Sequence, residues 1–232
     1  LGLDVDQVSF YPLMTAPTAR HKMRKSMGEA DESLRYPMYE RVLDRMMPRY
    51  RASSAWCFTR GEGMYDEYII DEDDYVGVGS GAFSYVGDSM YSTTFSLNHY
   101  CRRVEGGQSG ITQRRTLGLK ERMRYDYLVR LFGGALKREY IAGRYGAAFW
   151  LRMAPELLAM RMVGATRHDG DALRLTRRGM YCWVLMMAEF FNSVNDVREQ
   201  MRQHIRDELD AWNEEATVPL ASITGLKRNT GT

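Results

Sequence analysis

Tyr75-Val76-Gly77-Val78-Gly79-Ser80-Gly81-Ala82-Phe83-Ser84-Tyr85-Val86-Gly87-Asp88 is the stretch of this 232-residue chain that decides its fold. It begins with residues of high β-propensity and then places glycine at three alternate positions. We therefore predict a short buried strand that ends in a glycine-rich turn. Because glycine has no side chain, the main chain could here approach another backbone or a flat ligand closely.

Composition indicates an ordinary globular protein and argues against several functions. Hydrophobic residues make up 44% and charged residues 27% of the chain, which is an ordinary globular balance. The length of 232 residues is enough for one large domain or two small ones. The net charge is only +2, and arginine alternates with acidic residues, so we expect no nucleic-acid partner. No apolar run approaches the roughly 20 residues that a membrane-spanning helix needs, so we expect no membrane span.

Cysteine usage bounds the redox chemistry. The chain has three cysteines, Cys57, Cys101 and Cys182, and they lie far apart without a CxxC pair. We therefore expect no metal site built from this chain alone. The odd number of cysteines and the lack of a signal peptide lead us to expect a cytoplasmic protein.

Two β-type segments and a helix precede the glycine stretch. We predict a strand over residues 5–13, a helix over 37–47 and a second strand over 52–58. This order fits a βαβ unit with neighbouring parallel strands. Three strands would form a poor independent sheet, and the first residue is Leu1 rather than Met. We therefore expect the C-terminal part of a longer protein, the alternative being a trimmed chain.

The second half of the sequence is mostly helical. Ser96 is a suitable N-cap for a helix over 97–105, and a further apolar stripe predicts a helix over 119–132. Asp169-Gly170 predicts a hairpin within 165–175, and Thr176 would cap a long final helix. Helices followed by a hairpin and a helix are similar to a winged-helix arrangement.

These patterns together predict an α/β fold in three parts. Residues 1–95 would be the last strands of a partial (β/α) barrel. Residues 96–214 would form a mostly α-helical, winged-helix-like domain that contains the hairpin. Residues 215–232 would form a flexible tail.

Four segments resemble one family, and they keep its order and spacing. The chain resembles the C-terminal half of the oxygen-independent coproporphyrinogen III oxidase family of radical S-adenosylmethionine (SAM) enzymes, over roughly residues 5–205. The segments that carry the resemblance are Asp6-Gln7-Val8-Ser9-Phe10-Tyr11-Pro12-Leu13, Trp56-Cys57-Phe58-Thr59-Arg60, Gly77-Val78-Gly79-Ser80-Gly81-Ala82-Phe83-Ser84 with Gly87-Asp88, and Leu173-Arg174-Leu175-Thr176-Arg177-Arg178-Gly179. The glycine segment is the most specific of the four.

The resemblance implies a radical SAM barrel, a [4Fe–4S] cluster and SAM as cofactors, and a tetrapyrrole substrate or haem. The family holds its cluster with a Cys-x3-Cys-x2-Cys loop near the start of the barrel, and this chain has no such loop. Its cluster ligands and a partnering N-terminal barrel half are therefore expected outside the chain, and the fragment alone is expected to be inactive. Cys57 also stands where the family often has His, which favours a relative of the oxidase. We expect a monomer.

The resemblance places SAM beside Gly79, Gly81, Ala82, Phe83 and Ser84. Glycine would permit close approach, and the aromatic edge could pack on the adenosyl group. The alternative is a structural turn at the end of a strand, with Phe83 in the core. A nucleotide phosphate loop does not fit, because no Lys-Ser/Thr pair follows the glycines.

Two further residues are candidates for substrate binding. Tyr11 lies at the end of a predicted barrel strand, and Arg60 could bind a carboxylate with both arms of its guanidinium. The alternatives are a core or rim tyrosine and a surface arginine. His21, His99, His168 and His204 are scattered surface candidates, of which one could ligate haem in a trafficking relative. No catalytic residue is assigned.

Three functions follow. The first is the C-terminal portion of a radical SAM oxidoreductase that decarboxylates coproporphyrinogen III or carries out a related porphyrin or haem reaction. The second is a haem-binding or trafficking protein of the same fold, and the third is a non-catalytic helical interaction module.

Overall fold

The computed structural model describes residues 5–12, 17–29, 31–61 and 72–216, which form short antiparallel sheets and helices. A single 3-10 turn, Glu32–Leu34, also lies in this part of the chain. In chain order the elements are β1 (Gln7–Ser9), α1 (Pro17–Met27), α2 (Arg35–Met46), β2 (Arg51–Ala52), β3 (Cys57–Thr59), β4 (Phe83–Val86), β5 (Ser89–Thr93), α3 (Leu97–Glu105), β6 (Ile111–Thr116), α4 (Leu119–Phe132), β7 (Ala135–Lys137), α5 (Arg138–Tyr145), α6 (Ala148–Arg152), α7 (Ala154–Met162), β8 (Thr166–Asp169), β9 (Ala172–Leu175) and α8 (Arg177–Ala216).

The first sheet corrects the predicted βαβ unit. The helix over 37–47 is confirmed as α2, but β1 pairs with β3 in antiparallel fashion. The predicted strand over 52–58 is in fact two short strands, β2 and β3, that pair with each other. The cause is a tight turn at two serines: the Ser53 and Ser54 backbone N–H groups donate to the Cys57 carbonyl at 2.8 and 3.2 Å. The prediction of parallel strands is therefore wrong.

The second sheet, β4-β5-β6, corrects the prediction of a buried strand at the start of the glycine stretch. Tyr75 forms only an isolated bridge with Tyr85, while Val76 and Val78 are 72% and 87% exposed. Because glycine occupies alternate positions, one side of this segment has no side chains that could be buried in a core. The strand, β4, begins only at Phe83, after the turn, and Gly87-Asp88 connects it to β5.

The helical half agrees with its predictions. The predicted helices over 97–105 and 119–132 are α3 and α4, and Ser96 caps α3 by accepting from the His99 N–H at 3.3 Å. The predicted hairpin is β8-β9, to which β7 adds in the order β7-β9-β8. Thr176 accepts from the Gly179 N–H at 3.0 Å at the start of α8, which confirms its capping role.

Two predictions can be compared with the helices: the flexible tail over residues 215–232 and the expectation of no membrane span. Helix α8 continues to Ala216, and the rest of the predicted tail, residues 217–232, lies outside the described residues. Among the helices that the structure describes, none combines the length and the apolar character needed to cross a bilayer.

One hydrophobic cluster joins the first sheet to the helical half. It contains Leu43 of α2, Trp56 and Phe58 near β3, Met123 of α4 and Trp183 of α8. The Trp183 indole N–H donates to the Leu128 carbonyl at 2.9 Å, so its buried polar atom is satisfied. A domain boundary near residue 95 stays a prediction.

Candidate functional site

The glycine-rich turn is held against the end of β5 by its own backbone groups. The Gly81 N–H donates to the Thr94 carbonyl at 2.9 Å, and the Ala82 N–H donates to Thr93 Oγ1 at 2.9 Å. Thr93 Oγ1 in turn donates to the Gly79 carbonyl at 2.6 Å. Because these groups are used within the protein, the turn does not present the row of free N–H groups that a phosphate cradle needs.

The strand side of the turn depends on Gly77 and Ser84. The Gly77 N–H donates to Ser84 Oγ at 3.1 Å, and Ser84 is buried. A Cβ at position 77 would come closer to the Phe83 carbonyl oxygen than the 3.0 Å limit below which Cβ atoms are essentially never found. Ser84 therefore supports the turn from inside, and its predicted contact with a cofactor stays a prediction.

Phe83 forms an aromatic edge beside the turn. It is 37% exposed, so it is not part of the buried core, and its ring meets Phe95 at a centroid distance of 6.0 Å and an angle of 66°. At Gly81, where φ is +72°, a Cβ would lie 3.0 Å from the Phe95 ring. At Gly79, where φ is +106°, no atom lies within 4 Å of such a Cβ. The turn thus has an open position at Gly79 and a partly exposed aromatic ring at Phe83.

The two predicted substrate-binding residues lie apart. Tyr11 follows β1, is 38% exposed and meets Trp56 edge-on at 5.2 Å between ring centroids. Arg60 follows β3, and its guanidinium lies over the Tyr50 ring at 5.1 Å. Because β1 and β3 are antiparallel, the residues after them lie at opposite ends of the sheet: Arg60 lies opposite Asp6, five residues before Tyr11, so the two are about 17 Å apart by strand rise. The structure brings Gly79, Gly81, Ala82, Phe83 and Ser84 together, but it does not bring Tyr11 and Arg60 to one pocket.

A polar cluster that the sequence did not reveal lies around Asp126 of α4. Asp126 is buried and accepts a hydrogen bond from the Tyr145 hydroxyl at 2.6 Å; its Oδ2 also lies 3.1 Å from the Tyr140 hydroxyl and forms an ion pair with Arg144 Nε at 3.0 Å. The signal was present: Asp126 follows Met123 by three residues and so lies on the apolar face of α4. A carboxylate on such a face predicts a buried partner.

The same cluster reaches the segment just before the glycine stretch. Asp73 accepts from Arg130 at 2.6 Å and from the Tyr140 hydroxyl at 2.8 Å, and it lies 3.2 Å from Arg144 Nη1. Burial alone would raise the pKa of Asp73, but the Tyr140 hydrogen bond and the two guanidinium groups outweigh it and lower that pKa. Asp73 is thus ionised at neutral pH and ties this segment to α4 and α5.

The tyrosines of the cluster are neutral hydrogen-bond donors. Burial is the largest cause that raises the pKa of the Tyr140 hydroxyl, and the negative charge of Asp126 raises this pKa further. Burial is also the largest cause that raises the pKa of the Tyr145 hydroxyl, and the hydrogen bond to Asp126 raises this pKa further. Neither phenol therefore provides a base near neutral pH, and the cluster positions the chain rather than transferring protons. In the part of the chain that the structure describes, no three His, Cys, Asp or Glu side chains come together as a metal site.

Comparison with known proteins gives a likeness of fold. The structure is similar to that of coproporphyrinogen III oxidase from Escherichia coli, a radical SAM enzyme, with a TM-score of 0.59 and 16% sequence identity. The match covers 81% of this chain and 48% of that enzyme, so the chain spans about half the enzyme's length. No family model matches the chain, and no curated protein matches it. At this identity the likeness shows a shared mixed α/β fold.

Proposed function

We propose that this chain is the C-terminal portion of a radical SAM enzyme that acts on a tetrapyrrole, either by oxidative decarboxylation of a porphyrinogen or by a related porphyrin or haem reaction. The observation that carries the proposal is the likeness of fold to a radical SAM enzyme, together with the open glycine turn beside Phe83. The antiparallel pairing of β1 with β3 departs from the parallel strands of a barrel, so the proposed barrel part rests on the likeness and not on this sheet.

The glycine turn fits the apolar part of SAM. The position at Gly79 is open, the Phe83 ring edge is accessible, and Val76 and Val78 next to them are exposed. The N–H groups of Gly79, Gly81 and Ala82 and the Ser80 hydroxyl already donate to groups within the protein, so contact with a ligand here would be mainly apolar and aromatic. An adenine ring or adenosyl group, which is flat and has a π-face, suits such a surface.

The iron–sulfur cluster does not fit the residues of this chain. Cys57 is buried in β3, Cys101 lies on α3 and Cys182 lies on α8, and no cluster of ligating side chains forms among the described residues. The proposal therefore expects the cluster ligands elsewhere in a longer protein. When bound, SAM would supply the hydrogen-abstracting chemistry of the family, and this chain would contribute contact and orientation.

The chain's own part in the chemistry is to hold the glycine turn in place. Thr93 and Thr94 fix the turn to β5, and Ser84 fixes it from the strand side. Asp73, bonded to Arg130 and Tyr140, anchors the segment that enters the turn. A turn held at both ends is preorganised, so little conformational entropy would be lost when a ligand contacts it.

Saturation-transfer NMR with SAM and the full 232-residue chain tests the proposed contact. We expect saturation of the adenine protons and its reduction by Phe83→Ala. Phe190→Ala is the matched control, because Phe190 is also an exposed phenylalanine, on α8. Equal signals from both variants, or no saturation in the parent chain, would contradict the placement of SAM at the turn.

The upstream sequence and a haem titration separate the proposed functions. The enzyme proposal expects a Cys-x3-Cys-x2-Cys motif upstream in the same open reading frame, and a frame without it would count against radical SAM chemistry. In the haem titration, a shift of the Soret band would show that haem binds. If haem binds but the longer protein does not turn over coproporphyrinogen in the presence of SAM and a reductant, a haem carrier would be favoured. His21, His99 and His168 lie on different elements, α1, α3 and β8, so no described pair of them favours that alternative.

The winged-helix-like arrangement also belongs to the proposal. The order α4-β7-α5-α6-α7-β8-β9 and the sheet order β7-β9-β8 support it, because a small sheet packs beside the helices α4, α5 and α7. The exposed face of α7 carries Leu158 and Met162 rather than a row of arginines. A role of the winged-helix-like arrangement in packing is therefore favoured over a role in DNA recognition.

A further inference from the structure

Helix α3 is amphipathic, but most of its apolar face is exposed. Its apolar side chains follow the i, i+3, i+4, i+7 spacing of one side of a helix, and we call them the α3 stripe: Leu97, Tyr100, Cys101 and Val104. None of the nine residues of α3 is buried by the described part of the chain. Leu97 is 65% exposed, and Cys101 and Val104 are exposed as well. An amphipathic helix normally covers such a face with another part of the protein.

The helix touches the rest of the described chain only through the edge of that stripe. The Tyr100 hydroxyl accepts from the Gly79 N–H at 3.3 Å, and its ring packs so closely on Gly110 that a Cβ there would collide with it. Arg103 Nε donates to the Ser109 carbonyl at 2.8 Å. Tyr100 and Arg103 are partly covered, and the other seven residues of α3 are exposed. The contact side of α3 thus includes a charged arginine, whereas three of its four apolar side chains stay exposed.

The exposed apolar surface continues beyond α3. Val78 directly precedes Gly79, the residue that is bonded to Tyr100, and it is exposed. Ile111 follows Gly110, the residue that packs on the Tyr100 ring, and it is exposed too. Exposed apolar side chains that lie next to one another, unlike scattered ones, indicate a surface that another polypeptide covers.

The size of the α3 stripe favours a covering segment of the same protein over a second copy of this chain. Nine residues of helix extend about 14 Å, so the stripe offers far less than the roughly 800 Å² per partner of a standard interface between separate proteins. A covalently linked segment needs less area, because its effective concentration is high. The chain spans 48% of the enzyme to which its fold is similar, and the proposed function expects an upstream half.

We infer that the upstream half of the longer protein packs against the α3 stripe and Val78. The inference rests on the proposed function only in requiring a longer protein, and it needs neither SAM nor an iron–sulfur cluster. The covering surface should be apolar, since a charged group placed there would lose its water without gaining a partner. Because Tyr100 joins α3 to Gly79, the upstream half would also lie beside the glycine turn.

Cys101 lies on the stripe and shows whether it is covered. Alkylation by iodoacetamide, followed by mass spectrometry of the Cys101 peptide, compares the 232-residue chain with the product of the complete open reading frame. We expect Cys101 to react freely in the chain alone and at least about tenfold more slowly in the longer protein. Arg102→Cys in a Cys101→Ser background is the matched control on the polar side of α3, and it should react equally in both proteins.

Two substitutions in the first turn of α3 test the contact itself. Leu97→Asp places a charge on the stripe, and Asn98→Asp places the same charge off the stripe with a similar effect on the helix dipole. Both variants should fold as the parent does in the chain alone, because both positions are exposed. In the longer protein, Leu97→Asp should raise the reaction rate of Cys101 about tenfold or more, because burial of a leucine is worth at least that factor. Asn98→Asp should leave the rate unchanged.

Equal reactivity of Cys101 in both proteins would overturn the inference, as would equal protection of the Arg102→Cys control. If Cys101 in the chain alone reacted as slowly as the buried Cys57, another part of this chain would cover the stripe, and the inference would be wrong. A rate that falls as the protein concentration rises would indicate a second copy and would also overturn it. If Leu97→Asp fails to fold, the comparison of Cys101 in the two parent proteins still decides.

The inference and the proposed function can fail separately. Protection of Cys101 in a longer protein that lacks a Cys-x3-Cys-x2-Cys motif would support the inference and contradict radical SAM chemistry. A longer protein that has the motif but leaves Cys101 reactive would overturn the inference alone.

Discussion

Replacing Gly77 by alanine tests the packing that supports the candidate site. A Cβ at this position would collide with the Phe83 carbonyl oxygen, and the obstacle is backbone rather than a flexible side chain. The segment before the turn must then move away from β4. The Gly77→Ala variant is therefore expected to lose the contacts between these two backbones, even though only one methyl group is added.

The contacts at stake set the magnitude. Separation would break the hydrogen bond from the Gly77 N–H to Ser84 Oγ at 3.1 Å. It would also strain the two backbone hydrogen bonds between Tyr75 and Tyr85, at 2.7 and 3.0 Å. At about 0.5–1.5 kcal/mol for each of three bonds, we expect the free energy of unfolding to fall by about 2–4 kcal/mol.

Urea denaturation followed by circular dichroism measures this change, and Gly143→Ala is the matched control. Gly143 lies inside α5, and a Cβ there has no atom within 4 Å. Alanine in a helix interior should leave stability unchanged or raise it by up to about 1 kcal/mol.

Similar stabilities for Gly77→Ala and the parent would refute the reasoning. That result would mean that the segment can shift without losing its hydrogen bonds. A loss in Gly143→Ala as large as in Gly77→Ala would also refute it, because the effect would then not depend on the contact with Phe83.

Three further predictions concern other contacts. Gly179→Ala should lower the free energy of unfolding by at least about 2 kcal/mol, because its Cβ would meet the Ala165 backbone, and a urea midpoint like that of the parent would contradict this. Thr176→Ala should cost about 1 kcal/mol through loss of the N-cap of α8, measured by the same method, with Thr176→Ser as the variant that keeps the hydroxyl and the stability. Asp73→Asn should cost at most about 1 kcal/mol at pH 7, since Asp73 is about half exposed. Because the pKa of Asp73 is lowered by folding, its contribution is present above the ordinary value of 3.8 and is lost as the pH falls through the lowered pKa, so parent and variant should converge in acid-titrated melts. If the difference in stability between the parent and Asp73→Asn widened as the pH fell, the Asp73 charge could not be its cause.

The helical half was predictable from the sequence because its signals are local. The apolar stripe over 119–132 and the N-cap Ser96 place α4 and α3 where the structure has them. Asp169-Gly170 likewise places the β8-β9 turn, with φ of +60° at Gly170. Helix periodicity, capping and hairpin turns depend on residues a few positions apart, so one sequence suffices to find them.

Strand pairing was not predictable, because it depends on partners distant in the chain. The sequence suggested a parallel βαβ unit, and the serine turn at Ser53-Ser54 instead folds the segment into two antiparallel strands. Val76 and Val78 have β-type side chains, yet they are exposed and lie outside any strand. A β-type residue forms a strand only where another segment supplies hydrogen bonds and a surface to cover it.

The sequence by itself determined the order of elements in the helical half and singled out the glycine stretch as the place where backbone must approach closely. Only the tertiary structure decided what each glycine does: Gly77 admits the Phe83 backbone, Gly81 admits the Phe95 ring, and Gly79 faces open space. It alone placed Asp73 beside Arg130, 57 positions away. The physical reason is that helix and turn signals are written in neighbouring residues, whereas close approach, burial and charge pairing are properties of segments that meet only after folding.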